Sequence, residues 1–569
     1  MKLNSVNSRK LRYGGVTAAL TAFTIVVVLL LNVLISALAA KFTWYIDMTP
    51  DLLFTLSDEA VEIIRSGDPE FDTASPIAMV DSVRAKNKAH NQQNGLSKGD
   101  EGYLDEMPYI NIIFCDDADN VQSDSSKRYV YNTATELQSK FPDHIKVVNY
   151  NIYRNPSAVD KYRTTVNTKL STDSVILEFG TEYRLYSTSS FYLFDSETDE
   201  AWAYNGDKKF TSGILAVTRA ESPIACFTSN HGEQTPDAAL YNTLTDAGFL
   251  VDTVDLSSGE EIPKDCRLII IFNPQSDFSV KTAQNEIDEI DRLDEFLDGT
   301  NSLMVFIDPY TNAGNRLPNL EDYLEEWGVS YNRYSMEGKE YPGLVKDSSN
   351  SLTTNGFTLV SEYVEYGLGG SFTAEMREST SPKPVIFPNS MSLSYSDLYQ
   401  TAHYVNPEDD TDQYDYGKYY SNGVSRSIME AFVSASTAVS HANGQLAAEA
   451  KHDPFKLMTI SKEDRSVQED NSSVVREDSY VVAFGSTQFA SSEFLESSSY
   501  GNADLLLSVF REIGKEPVPV GMGIKPFADY TIDTITTKDA TIYTVTLTVV
   551  PALIAIVAGA IVLIRRKNK

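Results

Sequence analysis

The sequence predicts a mixed α/β protein in which two exterior α/β domains lie between an N-terminal and a C-terminal transmembrane helix. Three observations support this prediction. Two long uncharged runs, residues 14–40 and 542–564, lie near the ends of the chain. Between them, strand-like apolar runs alternate with helix-like periodic stretches, a pattern typical of α/β folds. The chain has 569 residues, which is too many for one ordinary core.

The two uncharged runs are long enough to cross a bilayer, since the 27 residues of the first reach roughly 40 Å as a helix. Basic residues flank them on the outer sides, so the positive-inside rule places the tails 1–13 and 565–569 in the cytoplasm. These residues are Lys2, Arg9, Lys10, Arg12, Arg565, Arg566, Lys567 and Lys569. The predicted protein spans the cell membrane twice and has a large extracytoplasmic region. Ala37-Leu38-Ala39 also fits a signal-peptide cleavage site, but the apolar run is longer than such peptides have, which favours an uncleaved anchor.

The charge of the chain is strongly negative, with 47 basic and 80 acidic residues and a net charge of −33. The eight basic residues of the two tails leave 39 basic residues for the remainder, whose net charge is therefore −41. Such a surface repels phosphate backbones, so the sequence predicts no nucleic-acid binding.

The region 41–104 follows the first predicted span. Trp44 and Tyr45 suit the aromatic belt at a membrane interface. Ser57 is a suitable N-cap for a short helix with Asp58 and Glu59 in its first turn. Residues 86–102 are polar and lack an apolar period, which predicts an exposed loop.

The first α/β domain is predicted over residues 105–220. Its elements are a strand at Tyr109–Cys115, a helix at Tyr129–Lys140, and strands at Ile145–Val148 and Ser174–Phe179.

The second α/β domain is predicted over residues 221–330 and, after an insertion of mixed structure at 331–478, over 479–516. Its strands are near-continuous apolar runs, which are typical of a parallel sheet covered on both faces. They lie at Ile224–Phe227, Leu250–Val254, Leu268–Phe272, Ser302–Ile307 and Tyr480–Phe484. The intervening helices are one that Thr235 caps and Gly248 ends, one with Ile287, Ile290, Leu293, Phe296 and Leu297 on one face, one around Leu320–Trp327, and one at Asn502–Ile513. Residues 414–422 and 464–478 are predicted loops, and 517–541 a linker.

The order of these segments resembles the GldG family of auxiliary proteins of ABC transporters, first known from bacterial gliding motility. The resemblance depends on the motifs Asp47-Met48-Thr49, Phe54-Thr55-Leu56-Ser57, Asn230-His231-Gly232-Glu233, Asn273-Pro274, Asp308-Pro309, Phe484-Gly485-Ser486-Thr487-Gln488-Phe489-Ala490 and Gly501-Asn502. It implies that the second domain has a flavodoxin-like or class I glutamine amidotransferase-like fold, a module also found in an intraflagellar transport protein. It also implies an ABC permease and an ATPase as partners.

Two motifs depart from the family pattern. The family usually has Gly-His-Gly-Glu where this chain has Asn230, and Asn tolerates a left-handed backbone better than most residues. It usually has Gly-Asp-Ser where this chain has Gly485-Ser486-Thr487, so one carboxylate is missing here.

The sequence contains no motif for amidotransferase chemistry, a metal site or a cofactor. Cys115, Cys226 and Cys266 lie in or beside apolar strands rather than on the sharp turn that a catalytic nucleophile needs. No Gly-x-x-x-x-Gly-Lys-Ser/Thr sequence is present, so the chain is not the transporter's ATPase. The acidic groups Asp409, Asp410, Asp412 and Asp415, and Asp116, Asp117 and Asp119, lack EF-hand spacing and indicate solvated loops.

The candidate binding residues are those expected at one edge of the parallel sheet: Asn230, His231, Gly232, Glu233, Asn273 and Asp308. Ligands bind at such edges in open α/β sheets. A purely structural role, in which His231 and Glu233 brace the turn, is the competing interpretation.

The leading functional hypothesis is a non-catalytic accessory subunit of an ABC-type transport system, whose exterior part binds a partner, an envelope component or a substrate. The alternatives are a cell-surface hydrolase or amidotransferase-like enzyme that uses His231 and Glu233, and an extracytoplasmic ligand-binding sensor.

Overall fold

Two sheets and a buried helix between them organise the described part of the chain. The computed structural model describes residues 23, 26, 27, 30, 53–68, 73–162, 170–194, 198, 200–219, 222–283, 286–309, 316–378, 382–405, 413–421, 424–451, 453–470, 473–497 and 499–527. The elements below belong to one compact unit that ends at Pro526. Of the predicted first span only Phe23, Val26, Val27 and Leu30 are described, all helical, while the second span and both tails lie outside the described residues. No helix within the described residues has both the length and the apolar character that crossing a membrane requires.

Two helices precede the first sheet, α1 (Asp58–Ser66) and α2 (Pro76–Asn94). The predicted cap of α1 is confirmed, because Ser57 Oγ accepts a hydrogen bond from the Ala60 N–H at 3.2 Å. The predicted loop at 86–102 is wrong for its first half, which continues α2. Ser75 caps this helix, and most of its residues are at least partly exposed, because only Pro76, Val80 and Asn91 are buried. With so little apolar surface to bury, the helix has no apolar period to recognise.

The first sheet has the order β2-β1-β3-β4, with β1 and β2 parallel and the other neighbours antiparallel. Its elements confirm those predicted here, except that α4 begins four residues earlier, after the N-cap Asp124. The elements are β1 (Ile110–Phe114), α3 (Ala118–Ser123), α4 (Ser125–Lys140), β2 (Ile145–Asn149), β3 (Ser174–Phe179) and β4 (Glu182–Ser187).

A buried helix, α5 (Gly206–Thr218), follows the short strands β5 (Tyr192–Phe194) and β6 (Ala201–Tyr204). All of its residues are buried. It contacts β3 and β4 of the first sheet and the first helix of the next region, so it joins the two halves of the unit.

The second sheet begins with four strands, and three α-helices lie between or after them in the chain, as predicted. In chain order these elements are β7 (Ile224–Thr228), α6 (Ala238–Asp246), β8 (Leu250–Val254), β9 (Cys266–Phe272), α7 (Glu289–Asp298), β10 (Ser302–Phe306) and α8 (Pro318–Glu326). Ile287 precedes α7 rather than lying on it. The predicted N-cap at Thr235 is also wrong, because α6 begins at Ala238, after Asp237.

The region 331–478 is rich in strands. In chain order it and the segments around it contain β11 (Val329–Tyr331), β12 (Arg333–Met336), β13 (Lys339–Pro342), β14 (Leu344–Lys346), β15 (Thr358–Val360), β16 (Glu362–Tyr363), α9 (Gly367–Glu378), β17 (Ile386–Pro388), β18 (Leu393–Tyr395), β19 (Gln400–Val405), β20 (Gln413–Ser421), β21 (Val424–Val433), β22 (Val439–Ala442), β23 (Gln445–Glu449), β24 (Lys456–Asp470), β25 (Ser473–Phe484), α10 (Ser492–Leu495) and α11 (Asn502–Gly514).

The predicted loops at 414–422 and 464–478 are wrong, since β20 covers most of the first and the β24–β25 hairpin covers most of the second. The sequence conceals this hairpin because charge pairs replace apolar alternation there. Lys462 Nζ lies 2.9 Å from the Asp464 carboxylate and 3.1 Å from that of Asp478 on the paired strand. Opposite charges across a ladder stabilise strands without leaving a hydrophobic period.

Five strands of the second sheet are parallel and lie in the order β8-β7-β9-β10-β25, which β24, β21, β20 and β19 extend with antiparallel pairings. Residues from α6 and α11 pack on one face, and residues from α7 and α8 on the other. The direction of winding reverses between β7 and β9. In open α/β sheets this reversal opens the crevice in which ligands bind.

The two ends of the described chain meet. Lys525, on a short strand that pairs with β6, donates a hydrogen bond from Nζ to the carbonyl of Thr55. The Ser57 N–H donates to Asp207 Oδ2 at 2.9 Å, and Lys525 Nζ lies 3.8 Å from the same oxygen. Asp68 accepts two hydrogen bonds from the guanidinium of Arg511, at 2.5 and 2.8 Å. The segments after the predicted first span and before the predicted second span are thus fastened to one another.

Candidate functional site

The predicted site residues lie where β7, β9, β10 and β25 end, a place called here the carboxyl edge. Asn273 follows β9 and Asp308 follows β10, and the structure brings them together, because the Asp308 N–H donates to Asn273 Oδ1 at 3.1 Å. Asn273 Nδ2 donates to Gln234 Oε1 at 3.2 Å, and Thr487 Oγ1 donates to Asp308 Oδ2 at 2.8 Å. Gln234, Asn273, Asp308 and Thr487 form the edge network, which connects segments after four neighbouring strands.

His231 lies beside this network, between two carboxylates. Its Nδ1 is 3.2 Å from Glu233 Oε1, and its Nε2 is 3.1 Å from Glu289 Oε1. The ring also stacks on Phe278, with centroids 4.0 Å apart and planes 10° apart. His231 and Glu289 are only 5% and 2% exposed. Glu233, His231 and Glu289 form a carboxylate–imidazole triad inside the protein.

The triad holds its histidine in the charged form. Burial lowers the pKa of His231, but hydrogen bonds and charge from Glu233 and Glu289 outweigh burial and raise the pKa to about 9. Burial raises the pKa values of Glu233 and Glu289. Hydrogen bonds, above all from His231, outweigh burial and leave both pKa values below their usual range. At neutral pH the triad is therefore an imidazolium between two carboxylates.

The loop that carries His231 has an unusual backbone. Asn230 has φ +80° and Gly232 has φ +71°, both in the left-handed region that favours Asn and Gly. The carbonyl of His231 accepts hydrogen bonds from the N–H groups of Gln275 and Ser276 at 2.8 and 3.0 Å. The loop after β7 is thereby fixed to the loop after β9.

The side chains divide into a buried layer and an exposed one. His231, Asn273, Asp308 and Thr487 are buried. Asn230, Gly232 and Gln234 are exposed above them, and Asn230 Nδ2 donates to Ser257 Oγ at 2.8 Å. The buried layer fixes the shape of the surface that the exposed residues present.

Asp237, the residue before α6, bonds through its side chain to another helix. Its carboxylate makes no capping bond and instead accepts from the Ser492 N–H at 2.9 Å and the Ser492 hydroxyl at 3.3 Å. The acid therefore connects the start of α6 to α10.

The arrangement offers little to acid–base or nucleophilic chemistry. A general base needs a free lone pair, but both ring nitrogens of His231 point at carboxylates and the ring is protonated at neutral pH. All three cysteines are buried free thiols. Burial and the thiol of Cys226 raise the pKa of Cys266, which suppresses the thiolate. Among the described residues, no group of three or more His, Cys, Asp or Glu side chains is arranged to hold a metal ion.

The other acidic groups named from the sequence have local partners. Asp116 accepts from the Asp117 N–H and from Asn120 Nδ2, at 2.8 and 2.9 Å. Asp415 is paired with His403 at 2.6 Å, whereas Asp409, Asp410 and Asp412 lie outside the described residues.

Glu289 and Phe278 were not recognisable as site residues in the sequence. Glu289 lies 58 residues after His231, at the first position of α7. A carboxylate in the first turn of a helix is favoured by the helix dipole alone, so its type and position carried no signal of the triad.

Comparisons with known proteins concern the part of the chain that contains this site. Residues 214–355 match the model of a family described as an ABC-type uncharacterized transport system, the ABC transporter auxiliary family. No curated protein matches the chain. A solved structure described as a cytoplasmic protein from Salmonella typhimurium is similar at 10% identity and a TM-score of 0.25, over 51% of this chain and 98% of that one. The match to residues 214–355 supports an auxiliary component of an ABC-type transport system and covers the triad with Asn273 and Asp308.

Proposed function

We propose that the protein is a non-enzymatic accessory subunit of an ABC-type transport system, anchored in the cell membrane by residues 14–40 and 542–564. The observation that carries this proposal is the family match over residues 214–355. The body between the two spans lies outside the cytoplasm and binds a partner, an envelope component or a substrate. Its partners in the membrane complex are an ABC permease and an ATPase.

The meeting of the chain ends supports the double anchor. The contacts of Lys525 with Thr55 and of Arg511 with Asp68 hold the two junctions with the predicted spans at one place on the body. A body whose two ends meet fits the proposed anchor at each end of the chain.

The strand order supports a flavodoxin-like type for the second sheet. In chain order its five parallel strands lie 2-1-3-4-5, which is the order of that class. Ligands of such sheets bind at the reversal of winding, which here lies between β7 and β9. The exposed residues Asn230, Gly232 and Gln234 lie beside that reversal and form the proposed binding surface.

The carboxylate–imidazole triad supports binding rather than catalysis. Its histidine is charged and doubly paired, and it fixes the loop that presents Asn230 and Gln234. A rigid surface loses less conformational entropy when a partner binds. His231 and Glu233 are therefore positioning residues in this proposal.

Co-purification from mild detergent tests the complex. We expect the tagged full-length protein to recover a permease and an ATPase, identified by mass spectrometry. Recovery of the protein alone would overturn the proposed membership of the complex.

A double variant separates the exterior surface from the membrane anchor. Asn230→Gly with Gln234→Ala keeps the positive φ at position 230 and removes two exposed amides. We expect this variant to retain the permease and to lose an exterior partner. The exposed residue Gln445 offers a matched control, and Gln445→Ala should behave as the wild type. Equal recovery of all partners by the double variant would refute a role for this surface.

A further inference from the structure

A second candidate site lies between α5, α6 and the start of α11. There a cavity of about 290 Å³ is lined by Asn205, Lys208, Asn242, Leu495 and Glu496, among others. This volume is close to the lower end of the range for small-molecule pockets. None of its lining residues belongs to the carboxylate–imidazole triad or the edge network.

Lys208 is the unusual residue of this cavity. It is only 6% exposed, and within the described part of the chain its ammonium makes no hydrogen bond and has no carboxylate within 4 Å. Burial lowers its pKa, and the nearby charges of Asp504 and Asp246 offset only part of this. Lysines are rarely buried unless they are paired. Lys208 therefore lines the cavity as a largely buried lysine without a partner among the described residues.

A second polar group in the same cavity lacks a partner. Asn205 Oδ1 is buried and makes no hydrogen bond within the described residues. Asn205 occupies the N-cap position of α5 but does not cap the helix with its side chain. The first N–H groups of a helix have no partner within that helix, and they favour negative charge. The cavity therefore combines a helix N-terminus with an unpaired ammonium.

The neighbouring charges are largely paired with one another. Lys209 Nζ lies 2.7 Å from Asp246 Oδ1, and Lys383 Nζ lies 3.5 Å from Asp504 Oδ2. Glu496 is the remaining acid in the lining, and burial and the charge of Asp237 raise its pKa. Lys208 is thus the lining lysine that has no carboxylate partner within 4 Å in the described part of the chain, whereas Lys209 is paired.

We infer that this cavity binds a small organic anion, whose carboxylate or phosphate accepts a hydrogen bond from Lys208 and whose body is about the size of one sugar ring. Asn205 and Asn242 offer amide groups for its hydroxyls. Leu193, Leu495 and Ile524 provide an apolar wall for its carbon atoms. The inference goes beyond the proposed accessory role, because it adds a small-molecule site at a different place.

Calorimetric titration of the full-length protein in mild detergent, at constant ionic strength, tests this site. The probes are glucuronate, glucose 6-phosphate and neutral glucose. We expect saturable binding of at least one anion and none of glucose, and the better anion identifies the carboxylate or the phosphate as the preferred group. Lys208→Gln should weaken binding at least about tenfold, because it removes a charge-assisted hydrogen bond. Lys264→Gln, which removes an exposed charge elsewhere, should leave binding unchanged.

A second variant keeps the ammonium of Lys208 and reduces only the volume of the cavity. Ala503 lines the cavity, and Ala503→Leu should weaken binding of the same anion while Lys208 remains. The inference is overturned if neither anion binds saturably up to about 10 mM, a range that covers millimolar affinities. It is also overturned if glucose binds as well as the anions, or if folded Lys208→Gln binds them as the wild type does.

Discussion

The charged state of His231 predicts a specific dependence of stability on pH. The carboxylate–imidazole triad raises the pKa of His231 from 6.5 to about 9 on folding, which corresponds to about 3 kcal/mol of stability. Because the folded pKa lies above the unfolded one, this contribution is complete below pH 6.5 and is lost as the pH rises through about 9. The pKa values of Glu233 and Glu289 are lowered, so both remain ionised throughout this window.

The perturbation is His231→Gln, which removes the titrating group and keeps a side chain that donates hydrogen bonds. The free energy of unfolding is measured with denaturant for the wild type and the variant at pH 6.5 and at pH 9.5. We expect the stability advantage of the wild type over the variant to be larger at pH 6.5 than at pH 9.5, by about 3 kcal/mol. His144 pairs with Asp81 at the surface, at 3.1 Å, so His144→Gln is a matched control. Its difference from the wild type should vary by less than about 1 kcal/mol over the same range.

NMR of ¹³C-labelled histidine gives an independent measurement. The chain has 6 histidines, and His231→Gln identifies the signal of interest. A His231 signal that titrates near 6.5, or a wild-type advantage that does not change between pH 6.5 and 9.5, would refute the charged triad.

Three further predictions concern stability and can be measured by chemical or thermal unfolding. Asp68→Asn removes the carboxylate that accepts two hydrogen bonds from Arg511, while Glu512 Oε1 remains 3.0 Å from Nη1 of Arg511, so a loss of about 1–3 kcal/mol is expected. Glu493→Gln at an exposed acid should cost less than about 0.5 kcal/mol, and equal effects of the two variants would exclude a stabilising role for the buried pair. Asn273→Ala places an alanine, which lacks the polar side chain that lets Asn adopt this conformation, at φ +51° and removes the hydrogen bond from the Asp308 N–H. A loss of about 2–3 kcal/mol is expected, and a variant as stable as the wild type would contradict the edge network. Gly485→Ala would place a Cβ 2.0 Å from the carbonyl oxygen of Met391 and should cost about 1–3 kcal/mol or more, whereas Gly523→Ala, with no atom within 4 Å of the new Cβ, should be nearly neutral; a stable Gly485→Ala protein would show that the two segments are less closely packed.

The sequence predicted best those elements whose residues are buried. Leu268 to Ile271 are fully buried in the middle of the parallel sheet, so their apolar run was unambiguous. Helix α2 and the β24–β25 hairpin were misjudged for the opposite reason. Asn91 of α2 is buried by hydrogen bonds to the backbone of Leu104, and Lys462 is stabilised by charges, so neither leaves a hydrophobic period.

The sequence predicted those residues of the candidate site that directly follow strands. Asn273 and Asp308 were expected at one edge because parallel strands end together, and they are hydrogen-bonded there. Glu289 could not be predicted, because its contact with His231 depends on how α7 packs on the sheet. The motif residue Thr487 was known, but its bond to Asp308 requires the return of the chain 179 residues later, after many intervening strands and helices.

The meeting of the chain ends has a mechanical consequence. A force that pulls Thr55 away from Lys525 loads the bond between them first. The next attachment is the Asp68–Arg511 pair, which holds α1 and α11. Helix α1 contacts α5, the helix that joins the two sheets, and α11 contacts α6 and α9. Such a force would therefore reach the helix between the two sheets through α1, without passing along either sheet.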